Sequence, residues 1–185
     1  MKSLLYLLRY WVAPSSTWRM VTSGQIVTAR HEREWFYPLM ALMALSAFVQ
    51  MVWDASLVQC LVTAIAEFVG LFIAYLVCPS AMLFVIEKLK IQKKVYESHL
   101  KLFSMFNLTL GIVVAIVQNV LPSSFSPMYM LLIYMLFLIS ATAKLILGEE
   151  SDDKRLIFVF AAFLLFLIVP ILIIYLLINF IPSEE

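Results

Sequence analysis

One acidic residue, Glu67, lies deep within a long apolar run, where its carboxyl group could bind a proton, a cation or a hydrogen-bond donor. It lies about 15 Å along a helix that starts at Leu57, which is near the centre of a bilayer. A carboxyl group there is expected to face the interior of a helix bundle, protonated or paired, and such groups are functional candidates. Three roles are open: interhelical hydrogen bonding, proton or cation handling, and a partner contact inside the membrane. The first is favoured because no second acid forms a relay.

Four polar side chains on other apolar runs are candidate partners for Glu67. Ser46 on the first run and Asn107 or Thr109 on the third lie at roughly matching depth. Lys144 on the fourth run is nearer one end, but its long side chain could reach inward. These five residues are therefore the predicted intramembrane polar set.

Other chemistry is not indicated. The two histidines, His31 and His99, lie in charged stretches expected to be solvated, without the spacing of a metal site. The four glycines are isolated, so there is no glycine-rich phosphate loop, and the serines lack a nucleophile-elbow pattern. The acidic run 149–153 lacks the calcium-loop pattern. We therefore expect no catalytic residue, no metal and no cofactor, and the chain is not expected to be an enzyme.

The elements that must position these residues are membrane spans. Of 185 residues, 64% are hydrophobic and 14% are charged, whereas soluble domains are about 45–50% apolar. This predicts an all-α integral membrane protein of one domain, and the net charge of +1 gives no reason to expect nucleic acid. Five apolar runs predict a five-helix transmembrane domain over 36–181, after a segment 1–35 and before a tail 182–185. The predicted spans are 36–53, 57–86, 102–121, 128–147 and 156–181.

The segment before the first span is too short to cross a membrane. Leu4, Leu8 and Trp11 recur at helical spacing, which predicts an amphipathic helix lying in the headgroup plane. Pro14 should end that helix, and Ser15 to Thr17 are good caps for a second short helix that Gly24 could close. The chain should therefore begin with two amphipathic surface helices.

The basic residues set the predicted orientation. All 13 fall before the first span, between spans two and three, or around the last loop. By the positive-inside rule the N-terminus should be cytoplasmic and the C-terminus exterior, as five spans also require. The three groups are Lys2, Arg9, Arg19, Arg30 and Arg33; Lys88, Lys90, Lys93, Lys94 and Lys101; and Lys144, Lys154 and Arg155.

The lysine loop between spans two and three, Lys88 to Lys101, has two interpretations. It could serve only as the topological signal, which is the favoured interpretation. It could also bind anionic lipid, since clusters of four to eight basic residues beside a span attract acidic headgroups. Tyr96, Leu100 and Phe103 are spaced as on one helix face, so the loop could form a helix lying on the membrane.

One short motif carries a family resemblance. A basic and aromatic lead, then Pro14, Thr17 and Trp18 in the pattern Pro-x-x-Thr-Trp, an amphipathic stretch and five spans, resembles the bacterial branch of the Yip1 family. The stretch up to Trp35 and the semi-polar helix start after the lysine loop continue the likeness. Two features depart from the family: the aspartate-leucine-tyrosine-glycine-proline motif of eukaryotic members is absent, and Asn107 stands where a proline is expected.

The resemblance implies a non-enzymatic membrane protein, linked in eukaryotes to vesicle traffic and membrane shaping. Because the eukaryotic motif is absent, a GTPase-partner role is not implied. Thr17 and Trp18 are interpreted first as a cap and an interfacial anchor, and otherwise as a partner-binding surface.

Two functions follow from these observations. The first is a membrane organiser or adaptor in a bacterial cytoplasmic membrane, acting through its basic face on anionic lipid. It would also pack against other membrane proteins or copies of itself. The alternative is a subunit of a small-solute, ion or proton-coupled transporter or channel that uses Glu67. The two differ in one structural respect, because a transporter needs a connected polar path through the bundle.

Overall fold

The computed structural model describes residues 2–24, 28–91, 95–121 and 128–180, and every regular element within those ranges is a helix. The predicted all-α class is confirmed for this part of the chain. A π-helical turn, Glu32–Phe36, joins α3 to α4, and a 3₁₀-helix, Ala47–Trp53, extends α4. In chain order the helices are α1 (Lys2–Val12), α2 (Pro14–Thr22), α3 (Thr28–His31), α4 (Tyr37–Ser46), α5 (Leu57–Lys88), α6 (Glu97–Val120), α7 (Met128–Leu147) and α8 (Asp152–Phe180).

Four helical stretches in the described ranges are long and apolar enough to cross a membrane. They are Glu32–Trp53, Leu57–Lys88, Glu97–Val120 and Asp152–Asn179, and they coincide with the first, second, third and fifth predicted spans. The fourth predicted span coincides with α7, whose apolar part, Ile133–Leu147, is shorter than the other four. The helices support an integral membrane protein, while a fifth crossing stays a prediction.

The first span begins earlier than predicted, because the charged approach 29–35 is itself helical. The Tyr37 amide donates to the Glu32 carbonyl, which is one residue beyond the α-helical partner. Pro38, which lacks an N–H, directly follows this widened turn. The continuous helix carries His31 inward, where it is only 3% exposed and lies beside the rings of Tyr6 and Trp35. The prediction that His31 is solvated is therefore wrong.

Helix α6 is the centre of the bundle. Residues 102–110 are all buried, so this part of the helix has no surface-facing side. Such all-round burial is typical of a core helix with apolar residues on every face. The Phe106 ring stacks between those of Tyr10 and Trp35, with centroid distances of 4.7 Å and 5.9 Å. The N-terminal segment and the first span are thus held against α6 by aromatic packing.

Helices α1 and α2 pack into the bundle through residues different from the predicted stripe. Leu7 and Tyr10 are buried in the core, whereas Leu4 and Leu8 are exposed. The outer face is therefore apolar as well, which is the pattern of a helix between a protein core and lipid. The location of α1 in the headgroup plane remains a prediction.

The caps of α2 differ from the predicted ones. The helix begins at Pro14, with Ala13 as its N-cap and no side-chain cap bond. Proline at the first helical position starts the helix before the predicted caps, so Thr17 lies within the helix and its hydroxyl donates to the Ala13 carbonyl at 3.2 Å. The prediction that Ser15 to Thr17 cap this helix is wrong. Gly24, which follows α2 with φ +76°, closes it as predicted.

The turn into α5 is set by the conformation of Asp54 and by a cap at the start of the helix. Asp54 adopts a left-handed conformation with φ 69°. Ser56 and Gln59 then form a reciprocal capping box at the start of α5. At the other end of the bundle, Gly148 follows α7 with φ +83°, a left-handed conformation that commonly ends a helix. These ends fix the lengths of the helices that carry Glu67 and Lys144.

Helices α5 and α8 approach each other closely at Gly70. A Cβ atom at this position would lie 2.6 Å from Ile174 Cγ1 and 3.3 Å from the Pro170 carbonyl oxygen. The absence of a side chain therefore allows the two backbones to meet, as small residues do in membrane helix pairs.

Replacing Gly70 with alanine is expected to reduce the free energy of unfolding by about 1–3 kcal/mol, because the added methyl overpacks the contact. The measurement is unfolding of the purified protein by a denaturing detergent. Gly111→Ala is the matched control, since its nearest neighbour would be Leu71 Cδ2 at 3.9 Å. Equal stability of the two variants would contradict a close α5–α8 contact.

Candidate functional site

A hydrogen-bonded cluster joins the first span, α5 and α6 around Glu67. Asn119 Nδ2 donates to Glu67 Oε2 at 3.0 Å and to Ser46 Oγ at 3.1 Å. Gln50 Nε2 donates to Asn119 Oδ1 at 2.5 Å, and the Ser46 hydroxyl donates to the Met43 carbonyl at 2.6 Å. Asn119 is the centre of this polar cluster, since both ends of its amide are used.

Of the four predicted partners of Glu67, only Ser46 joins this cluster, and it does so through Asn119. The Thr109 hydroxyl donates to the Met105 carbonyl of its own helix at 2.6 Å. Asn107 bonds elsewhere, and Lys144 is exposed near the end of α7. Asn107 and Thr109 were predicted because their depth in the third span roughly matches that of Glu67 in the second. This prediction is wrong because the ends of α5 and α6 are staggered. Asn119 lies next to the end of α6, whereas Glu67 lies about 15 Å inside α5.

Asn107 forms a second polar centre within α6. Its Nδ2 donates to the Tyr10 hydroxyl at 3.1 Å and to the Phe103 carbonyl at 2.8 Å. Burial raises the pKa of the Tyr10 phenol above its ordinary value, so the phenol stays neutral. Asn107 Oδ1 is fully buried and has no hydrogen-bond partner among the described residues. The sequence pointed to Asn107 but not to its partner on α1.

A cavity of about 370 Å³ lies between α6 and the second half of α8, with α5 and α7 at its sides. Its walls are mainly apolar, and Asn107 lies at one end, with Glu67 and Gln118 among its polar lining residues. Along α6, Asn107 and Gln118 are separated by about 16 Å of helix. The cavity therefore adjoins both polar centres without joining them through polar side chains in the described structure.

The lysine loop is only partly within the described residues, and Lys93 and Lys94 lie outside them. Lys88 and Lys90 are exposed, and the Lys88 ammonium lies 5.2 Å from the centre of the Phe84 ring. Lys101 pairs with Glu97 at 3.3 Å on the first turns of α6. The surface-lying helix predicted from Tyr96, Leu100 and Phe103 is wrong, since Leu100 and Phe103 are buried within α6.

The Pro14 to Trp18 motif is part of the core. Thr17 and Trp18 are 0% and 1% exposed, and the Trp18 ring packs edge-on against Phe103 at 5.6 Å. The indole is thus a buried anchor for α2 on α6, rather than an exposed interfacial residue. A partner surface made of these two side chains would require α2 to leave the bundle.

The described residues contain no group of three or more His, Cys, Asp or Glu side chains that could hold a metal ion. Sequence reasoning missed Asn119, Gln50 and Tyr10. Asn119 and Gln50 were visible as polar residues within predicted spans, and a search for amide side chains there would have found both.

Comparison with known proteins gave no match to a family model, to a curated protein or to a solved structure.

Proposed function

We propose that this chain is a non-enzymatic organiser or adaptor of a membrane, as its resemblance to the bacterial Yip1 branch implies. It crosses the membrane five times, with α7 as the fourth span, its N-terminus in the cytoplasm and its C-terminus outside. The membrane is the cytoplasmic membrane of a bacterium. The protein acts by packing against other membrane proteins or copies of itself, and by contacting anionic lipid with its basic end.

The separation of the two polar centres is the observation that supports this function most. The cluster at Asn119 and the pair at Asn107 are divided by an apolar part of α6 that includes Leu110, Ile112 and Val114. Thr109 lies in this interval, but its hydroxyl bonds to its own helix. A connected polar path is therefore missing from the described residues, which favours hydrogen bonding between helices over ion or solute transport as the role of Glu67.

Basic side chains gather at one end of the bundle, which supports contact with anionic headgroups. Lys154 Nζ lies 2.8 Å from Glu150 Oε2 and 3.4 Å from the Lys90 carbonyl, so the α5–α6 and α7–α8 connections are adjacent. Lys88 and Lys90 are exposed beside this junction. Each basic residue near a charged membrane surface is worth about 1 kcal/mol.

The triple variant Lys88→Gln, Lys90→Gln and Lys101→Gln tests the lipid contact. Adding phosphatidylglycerol to the protein in neutral detergent is expected to raise the unfolding temperature of the parent chain. The rise should be smaller in the variant and smaller at high salt, because ionic contacts are screened. Asp54→Asn, at the other end of the first span, is the control and should behave as the parent.

An equal rise with phosphatidylcholine, which carries no net charge, would exclude a charge-based contact. Mass measurement of the protein in a gentle detergent checks the packing part of the proposal. The expected result is more than one copy, or a second membrane protein, in the same particle.

A further inference from the structure

The apolar cavity beside α6 has the dimensions of a binding site. Its volume of about 370 Å³ lies within the range of small-molecule pockets, about 300–1,000 Å³. Leu110, Val114, Phe166 and Ile174 contribute to its walls. Atoms that line an empty apolar cavity lack dispersion contacts on one side. An apolar molecule in the cavity would therefore stabilise the folded protein.

The cavity is open along the edge formed by α8. Ile171, Tyr175 and Ile178 line it and are 46%, 65% and 43% exposed. Gly111 keeps the α6 side clear, because a Cβ atom there would have only Leu71 Cδ2 within 4 Å. In a membrane this edge faces hydrocarbon, so a chain-like molecule can enter from the side.

The polar groups at the cavity define the chemistry of its occupant. Asn107 Oδ1 is a buried acceptor without a partner, since the Nδ2 of the same amide already bonds Tyr10 and the Phe103 carbonyl. A buried acceptor without a partner costs free energy, so a ligand that donates a hydrogen bond to it would be favoured. Glu67, which also lines the cavity, offers carboxyl oxygens and disfavours an anionic head. A neutral group that donates one hydrogen bond satisfies both conditions.

We infer that this cavity binds a neutral, single-chain hydrocarbon that bears a hydroxyl group. On binding, the Asn107 side chain shifts toward the cavity so that its Oδ1 accepts a hydrogen bond from the hydroxyl, and the chain lies along α6 and the second half of α8. The cavity extends from Asn107 to Gln118, a distance of about 16 Å along the helix, which suits a linear chain. This site differs from the anionic-lipid contact of the basic end in both place and charge.

Photo-crosslinking tests the inference. The full-length protein in nanodiscs of phosphatidylcholine is irradiated with a long-chain primary alcohol that carries a diazirine on its chain, and modified peptides are mapped by mass spectrometry. Labelling is expected on α6 and on the second half of α8. Unlabelled hexadecanol should compete, whereas hexadecane and hexadecanoate should compete about tenfold less well, the factor that 1.4 kcal/mol of hydrogen bonding produces.

Two pairs of variants locate the site. Gly111→Leu places a side chain in the cavity and should abolish the labelling, while Gly111→Ala should retain it. Asn107→Leu removes the acceptor, and hexadecanol should then compete no better than hexadecane. Tyr10→Phe is its control, because it removes the same Asn107–Tyr10 bond but keeps Asn107 Oδ1.

The outcomes separate the possible occupants. Equal competition by hexadecane, hexadecanol and hexadecanoate would show nonspecific filling and overturn the inference. Competition by a polycyclic alcohol but not by hexadecanol would overturn the linear chain. Labelling that persists in Gly111→Leu, in protein with parental circular dichroism, would overturn the location. Failure here leaves the phosphatidylglycerol result untouched, since that contact rests on the lysines.

Discussion

Replacing Phe106 with alanine is expected to destabilise the folded protein by about 3–5 kcal/mol, the cost of removing a large buried aromatic side chain. Phe106 is fully buried in α6, and its ring lies between those of Tyr10 and Trp35. Its loss leaves a cavity where α1, the first span and α6 meet. Aromatic stacking adds about 0.5–1.5 kcal/mol per pair beyond the buried area, so both N-terminal elements should loosen. The measurement is equilibrium unfolding in mixed micelles with increasing denaturing detergent.

The control for Phe106→Ala is the same substitution at Phe160, which is 51% exposed on α8. Phe160→Ala should cost much less, because about half of the Phe160 side chain already faces lipid or detergent and its removal leaves no cavity in the core. Phe106→Leu keeps most of the apolar volume but loses both ring pairs, so it should cost less than Phe106→Ala and more than Phe160→Ala. A similar loss of stability at Phe106 and Phe160 would mean that the packing around α6 is not the core of the fold.

Replacing Asn119 with leucine is expected to cost about 1–3 kcal/mol, because it leaves buried polar groups without their partner. The substitution removes the donor to both Ser46 and Glu67 and the acceptor of the Gln50 amide. Asn179→Leu is the matched control. Asn179 is exposed at the end of α8, and its amide bonds only within its own helix, to the Tyr175 carbonyl at 2.8 Å.

A double-mutant cycle measures the Asn119–Glu67 bond itself. The coupling between Asn119→Ala and Glu67→Ala should be about 0.6 kcal/mol and no more than about 1.7 kcal/mol, the range of interhelical bonds in a membrane protein. Glu67→Gln keeps an acceptor for Asn119 and should be nearly as stable as the parent. If Glu67→Gln abolished an ion flux that the parent shows in vesicles, the interhelical role of Glu67 would be wrong.

Local signals explain why several helix ends could be predicted. Pro14, Gly24, Asp54 and Gly148 each fix the backbone through their own conformational preferences, without reference to distant residues. The structure places helix starts, turns or helix ends at all four. Long apolar runs add the lengths of the spans, which explains the agreement over α5 and α8.

The partners across helices could not be predicted for two physical reasons. Depth counted along one helix transfers to another only if their ends are level, and the end of α6 beside Asn119 is level with the interior of α5. In addition, the outer face of a membrane helix is as apolar as its inner face. Hydrophobic spacing therefore cannot tell that Leu7 is buried while Leu8 is exposed.

The docking of α1 and α2 has a consequence for the order of assembly during synthesis. The Ser15 hydroxyl donates to the Ala141 carbonyl at 3.2 Å, and the Tyr134 hydroxyl donates to the Trp11 carbonyl. Helices α1 and α2 can pack on α6 earlier, but these two bonds form only after α7 has been synthesised. Contacts that span so much of the chain close late and slow folding. In a nascent chain that ends before α7, helices α1 and α2 are therefore held only by α6 and the first span, and completion of α7 ends their partial exposure to chaperones and proteases.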